Sequence, residues 1–139
     1  MFTSVGHRGP TRQDVELGAK RDGRLTAIKH ATFTQTSIRS DYIETCGIAT
    51  GILYRCPNVM ISHRAARLNT GTPCPTRAPG EATGLFALEC AMDELAEKLG
   101  MDPIAIRVLN HSEMDQVKGC LLYTSSPSWA TRRPRQASP

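Results

Sequence analysis

An α+β fold is expected from three features of the sequence. Two runs of β-favouring residues flank the turn pair Asp22-Gly23. Apolar residues recur at helical spacing from Leu85 to Leu99. Gly100 is then followed by Asp102-Pro103, a helix stop and a helix start in immediate succession. Together these give antiparallel strands followed by a C-terminal αα unit.

In chain order, Val15 and Leu17 alternate with polar neighbours, and Leu25 to Ile28 resumes an extended run after the turn. Thr32, Phe33, Thr34 and Thr36 prolong it, so residues 13–36 read as a two-stranded antiparallel ribbon. Asp41 with Glu44 three positions on has the form of a capping box. Ile43, Gly47, Ile48 and Ile52 then follow at helical spacing until Cys56-Pro57. A helix is expected there, weakened by two glycines. Val59, Ile61 and His63 alternate again as a third strand.

The clearest helix carries Leu85, Leu88, Met92, Leu95, Ala96 and Leu99 on one stripe, with Glu89, Asp93, Glu97 and Lys98 away from it. Glu94 and Lys98 form an i,i+4 pair in the favourable order. Gly100 closes this helix, and Asp102 as N-cap with Pro103 at the first helical position opens a second, ending at Leu109.

At 139 residues there is room for one domain, and 40% hydrophobic with 22% charged residues suits a globular one. No apolar run approaches the roughly 20 residues of a membrane span, and MFTSVGHRGP lacks the regions of a signal peptide. The net charge of +4 is concentrated at the end, where Arg132, Arg133 and Arg135 stand without an acid, so residues 1–118 carry only +1. A basic face for nucleic acid is therefore not required. Five cysteines occur without a C-x-x-C, and His7, His30, His63 and His111 are too scattered for a zinc pattern, so reduced, mostly buried thiols and no metal ligands are expected. Residues 114–139 are set apart as a tail. From Gly119 they have no usable period and read either as disordered or as foreign to the protein.

Between strand and helix lies GTPCPTRAPGEATG, residues 71–84. Pro73, Pro75 and Pro79 stiffen it, Gly80 permits close backbone approach, and the amides of Glu81 to Gly84 begin a helix. With Arg77 beside them, these groups suit a bound anion. An ordinary Pro-Gly turn with Arg77 in solvent or paired with an acid fits the same residues, and physical reasoning alone leaves both open.

The stretch TPCPTRAPGEATGLFALECAMDELAEKLGMDPIAIRVLNH resembles the molybdenum-binding subunit of the xanthine dehydrogenase/aldehyde oxidase family. The RAPGE form, Arg77 to Glu81, is similar to bacterial aldehyde-oxidising branches. A MxPxxxRxxN segment is present as Met101, Pro103, Arg107 and Asn110, while GHRGPTRQ and LYRCPNV match in order and spacing. The resemblance covers about residues 1–113, implying a fragment of a molybdopterin-binding domain.

The resemblance implies a hydroxylase that inserts water-derived oxygen into a C–H bond, using molybdenum held by a pterin dithiolene. The cytosine dinucleotide form of the cofactor is the expectation, with iron–sulfur and FAD groups on partner subunits. It carries Arg77 onto the arginine beside the molybdenum, where it would orient or stabilise the metal's oxygen ligands or a substrate carbonyl. Ala78 and Gly80 would bring backbone close to the cofactor. Thr45 stands where purine oxidases have an arginine, and Pro79 where they have a stacking phenylalanine, so an aldehyde is the expected substrate. His7 and Arg8 are given structural hydrogen bonding rather than chemistry, and Cys74 the filling of a tight turn. The family's catalytic glutamate has no counterpart here, so the fragment alone is expected to be inactive. The expected location is cytoplasmic, with the periplasm as the alternative. A small basic nucleic-acid-binding module and an inactive truncated product are the rival readings.

Overall fold

The computed structural model describes residues 6–115 and 118–121. Strand β1 (Thr11–Ala19) and strand β2 (Leu25–Ser37) form the expected antiparallel hairpin, Thr11 opposite Thr34 through Leu17 opposite Ile28. Its turn is closed by Gly23 N–H to Lys20 O (3.0 Å) and by Asp22 Oδ1 accepting from Arg24 N–H (3.1 Å). Gly23 has φ 87°, which an L side chain rarely adopts.

After β2 the structure departs from expectation. The only helix between β2 and Cys56 is the single turn α1 (Thr50–Leu53), and Asp41 caps nothing. Both Asp41 oxygens accept from Arg67, at 3.0 and 2.6 Å, while the Glu44 side chain is fully buried and turned elsewhere. The capping box fails because distant partners outbid the local ones. Strand β3 (Val59–Leu68) lies parallel to β2, Ile28 opposite Val59 through Ser37 opposite Leu68, where antiparallel strands were expected. The intervening residues 38–58 are long enough to cross back to the starting end of the sheet, which a parallel pair requires.

Helix α2 (Glu81–Leu99) packs on β1, with Gly84, Leu88, Met92 and Ala96 buried at intervals of four residues. It ends in a left-handed Gly100 (φ 66°), with Gly100 N–H bonded to Glu97 O and Met101 N–H to Ala96 O. Helix α3 (Pro103–Leu109) starts as expected, Asp102 accepting from Ala105 N–H at 2.7 Å. Leu25, Ile28, Tyr54, Cys56, Leu88, Met92, Ala96 and Ile106 form the core between sheet and helices.

All four residues of the Met101–Asn110 motif have structural roles. Met101 packs against Gly23, and Pro103 opens α3. Arg107 bonds Glu89 (2.6 Å) and Asp93 (2.8 Å), which fixes α3 to α2, and the same Glu89 accepts from Tyr54 Oη at 2.6 Å. Asn110, 4% exposed, accepts from Leu25 N–H (2.9 Å) and donates to Gly23 O (2.8 Å), stapling α3 to the hairpin. The motif is architecture.

Short strands β4 (Met114–Asp115) and β5 (Cys120–Leu121) pair antiparallel within the segment set apart as a tail. Residues 122–139, with Arg132, Arg133 and Arg135, lie outside the described residues.

A buried polar chain joins the sheet to α2. Gln13 Nε2 donates to Thr83 O (3.2 Å), so its Oε1 faces His30 Nε2 (2.9 Å), which must carry the proton. His30 Nδ1 lies 2.7 Å from Thr50 Oγ1, and burial favours the neutral ring, in which Nδ1 accepts from that hydroxyl. His63 Nε2 accepts from Gly47 N–H at 3.0 Å and is neutral likewise. Burial lowers both histidine pKa values, and for His30 the neighbouring His63 adds to it. On acidification the unfolded chain therefore takes up these protons first. Stability should be level above about pH 6.5 and fall below it, toward the lowered folded values. Thermal melts of the chain from pH 7 to 5 check this, and a His30→Gln variant should show a shallower fall.

Candidate functional site

Three segments remote in sequence, residues 6–13, 41–47 and 71–84, meet at the N-terminus of α2. Thr72 Oγ1 lies 2.6 Å from Ser37 Oγ at the end of β2, and Cys74 N–H donates to His7 O at 3.0 Å. Cys74 sits so close to Gly6 that a β-carbon there would be 2.2 Å from its sulfur. It fills a tight turn, as expected.

Arg8 reaches across the same gap. Its Nε donates to Thr76 Oγ1 (2.6 Å) and its Nη2 to the carbonyl of Arg77 (2.5 Å). Its Nη1 lies 3.6 Å from Glu44 Oε1, and that oxygen accepts from Gly80 N–H at 2.6 Å. Tyr42 donates to the other carboxylate oxygen at 2.6 Å. Burial, reinforced by this bond to a carboxylate, pushes the Tyr42 hydroxyl up to about 12, so it remains a donor at neutral pH. Arg8 has the structural hydrogen bonding expected of it. Glu44, which the sequence suggested as a local helix cap, instead holds a helix 36 positions away.

The approach of α2 to this segment is very close. Gly80 has φ 75°, and a β-carbon on it would lie 2.5 Å from Thr45 O. One on Gly84 would lie 1.8 Å from Cys46 O. Cys46 Sγ and Thr83 Oγ1, at 3.1 Å, bond beside this contact. The five residues selected from the sequence are thus brought together: Arg77, Ala78, Pro79 and Gly80 in succession, and half-buried Thr45 against Gly80.

Their exposure differs in a useful way. Gly80 is buried and Ala78 half-buried, whereas Arg77 and Pro79 are exposed. Among the described residues no acceptor bonds the Arg77 guanidinium, although the Arg77 carbonyl is held. The first-turn amides are less available than the sequence suggested, since Ala82 N–H bonds Ala78 O and Gly84 N–H bonds Gly80 O. The Glu44 carboxylate already sits at the positive end of α2. Arg77, rather than the helix amides, is the cation left to meet an external negative group. Its surroundings fit an anionic cofactor, since no carboxylate among the described residues pairs with it.

Other chemistry is less well served. Among the described residues no cluster of three His, Cys, Asp or Glu side chains could hold a metal ion, and no helix is long and apolar enough to cross a membrane. Basic side chains on the body are interspersed with acids, as in Lys29–Glu16 (2.6 Å), Arg67–Asp41 and Arg12–Asp14, which leaves no single-sign stripe across them for phosphates.

Glu44, Tyr42 and Gly84 were not selected from the sequence as site residues. Gly84 does leave a signal, because a glycine inside a strong helix costs stability unless something must come close. Glu44 leaves a weaker one, as the one charged residue between Asp41 and Arg55.

Comparison with known proteins shows the family of the chain. Residues 1–111 match the family model of the molybdopterin cofactor-binding domain. The aldehyde oxidoreductase molybdenum-binding subunit PaoC of Escherichia coli K12 is 40% identical over 109 residues, 78% of this chain and 15% of that protein. The probable hypoxanthine oxidase XdhD of the same organism is 37% identical over 112 residues, 76% of this chain and 11% of that protein. The solved aldehyde oxidoreductase of Desulfovibrio gigas superposes with a TM-score of 0.69 at 30% identity, covering 79% of this chain and 13% of that one. The chain thus spans well under a fifth of the length of each.

Proposed function

The chain belongs to the molybdopterin cofactor-binding domain family, and on that premise we propose that residues 1–113 form one wall of the molybdenum site in the large subunit of an aldehyde-oxidising enzyme. When bound, the molybdenum cofactor supplies the two-electron oxidation that places water-derived oxygen on the substrate carbon. The residues of this chain do the positioning. Arg77 presents a cation from a backbone held in place, toward negative charge on the cofactor or developing on a substrate oxygen. Ala78 brings backbone near the cofactor, and Thr45 and Pro79 border the substrate space. Gly80, expected to act as Ala78 does, is instead buried against Thr45 with its amide on Glu44.

The observation that carries this reading is an exposed Arg77, without a side-chain partner among the described residues, on a loop whose backbone is bonded on both sides of it. The cytosine dinucleotide form of the cofactor, and electron transfer to iron–sulfur and FAD partner subunits, go with it. The cytoplasm and, with an exported partner, the periplasm both suit it.

For substrate class, the contacts of Thr45 and Pro79 matter. Neither supplies the charged anchor or flat aromatic face that a purine ring would use. The parent enzyme should therefore oxidise aliphatic and aromatic aldehydes with at least about tenfold higher kcat/KM than hypoxanthine, the equivalent of one lost charged or stacking contact of about 1.4 kcal/mol. A steady-state panel of aldehydes against hypoxanthine and xanthine tests it. Preference for a purine would overturn the assignment and favour the activity named for the XdhD relative.

A further inference from the structure

We infer that Glu44 and Arg8 form a two-point grip on residues 77–80, and that Glu44 is thereby a positioning residue for the Arg77 loop. The inference rests on the proposed role of that loop and adds a residue no chemistry would have selected.

The grip closes at both ends of the four-residue stretch 77–80. At one end Arg8 donates to the Arg77 carbonyl, with a second bond to Thr76 Oγ1. At the other, Glu44 Oε1 accepts from Gly80 N–H. The two grips are themselves joined, Arg8 Nη1 lying 3.6 Å from Glu44 Oε1. Glu44 is 0% exposed, and its second oxygen is taken by Tyr42. A carboxylate is stable in such a place only while these donors remain around it.

The residues inside the grip would not hold their shape unaided. Ala78 has φ 55°, the left-handed conformation that costs an L-residue energy and that glycine normally occupies. Pro79 transmits the strain because its own φ is fixed. Fixing the carbonyl before Ala78 and the amide two residues after it leaves Ala78 no other conformation. With no acceptor bonding the guanidinium among the described residues, this backbone alone sets where the Arg77 side chain leaves the loop. Loss of the grip lets Ala78 relax to the extended region that a residue before proline favours, and turns Arg77 away.

A simple helix cap at Glu44 would behave differently, loosening α2 as a whole. Glu44→Gln keeps an oxygen for Gly80 N–H and an amide for Tyr42, but removes the charge facing Arg8. Arg8→Gln releases the other end and takes the cation from beside the carboxylate, but leaves the Gly80 and Tyr42 bonds to Glu44 in place. In the cofactor-free full-length subunit, either variant should raise amide hydrogen exchange across residues 76–83 by about tenfold or more, while residues 90–99 change less than about twofold. In the loaded enzyme both should lower kcat more than they raise KM. Unchanged exchange at 76–83 overturns the grip, and so does a uniform rise along α2. Glu44→Ala serves as a harsher variant and Arg8→Gln as the milder one if burial makes the former unstable. Arg77→Ala, run alongside, separates the two claims. Normal turnover in that variant removes the role of the loop, whereas slow turnover with unchanged exchange in the Glu44 and Arg8 variants removes only the grip.

Discussion

Replacing Arg77 with alanine in the parent enzyme is expected to cut kcat by about 10²–10³-fold, the usual consequence of removing one preorganised electrostatic donor. Molybdenum content and melting temperature should stay near wild type. The separation follows from the structure. The Arg77 side chain is exposed and bonds nothing among the described residues, so its loss removes no internal contact. The bond to Arg8 comes from the Arg77 carbonyl, which alanine keeps. A lysine in its place should recover only part of the rate, because a point charge on a flexible stem does not reproduce a planar fork. Turnover within threefold of wild type in the alanine variant would remove the proposed role.

Gly84→Ala is expected to have the opposite profile, losing stability and cofactor together. A β-carbon at Gly84 would stand 1.8 Å from Cys46 O, 2.6 Å from Cys46 C and 3.0 Å from its Cα. All three atoms are backbone, so no rotamer change relieves the overlap. Helix α2 must part from residues 44–47, which breaks the Cys46–Thr83 contact and draws Gly80 N–H from Glu44. Overpacking of this kind costs on the order of 3 kcal/mol, and alanine's better helix propensity returns about 1 kcal/mol at most. Thermal melts with metal analysis of the purified variant should show a lower midpoint and depleted molybdenum. A variant with the wild-type midpoint and full metal content would show that the contact is not as tight as described.

The contrast between these variants mirrors what could be read from the sequence. The β1–β2 hairpin, α2 and α3 were legible because their determinants are local: Asp22-Gly23 for the turn, a regular apolar stripe, Gly100 and Asp102-Pro103 for the boundary. The helix expected from Asp41 was not, because its two capping carboxylates are claimed by partners 26 and 36 positions away, Arg67 and Gly80. Local pattern carries no trace of such competition. The parallel sense of β3 likewise depends on the path of residues 38–58, not on the residues of β3 itself.

At the site, loop composition alone left Arg77 between an anion site and a solvent-facing turn. The family resemblance pointed to the first, and the geometry explains how a short rigid loop can hold an arginine outward. Arg8 and Glu44 are bonded to it from two different segments. The sequence assigns Arg8 a structural bond without its partner, and Glu44 a local cap instead of this distant one. The Met101–Asn110 motif shows the converse. It was among the strongest marks of the family, and its residues join helices to hairpin rather than touch a site.

The most direct test is an experimental structure of the full-length subunit with its molybdenum cofactor bound. The Arg77 guanidinium should lie within hydrogen-bonding reach, about 2.7–3.2 Å, of the cofactor or of a substrate analogue beside it. Thr45 and Pro79 should border the same space. An Arg77 side chain directed away, separated from the cofactor by other residues or paired with a carboxylate from elsewhere in the subunit, would contradict the account.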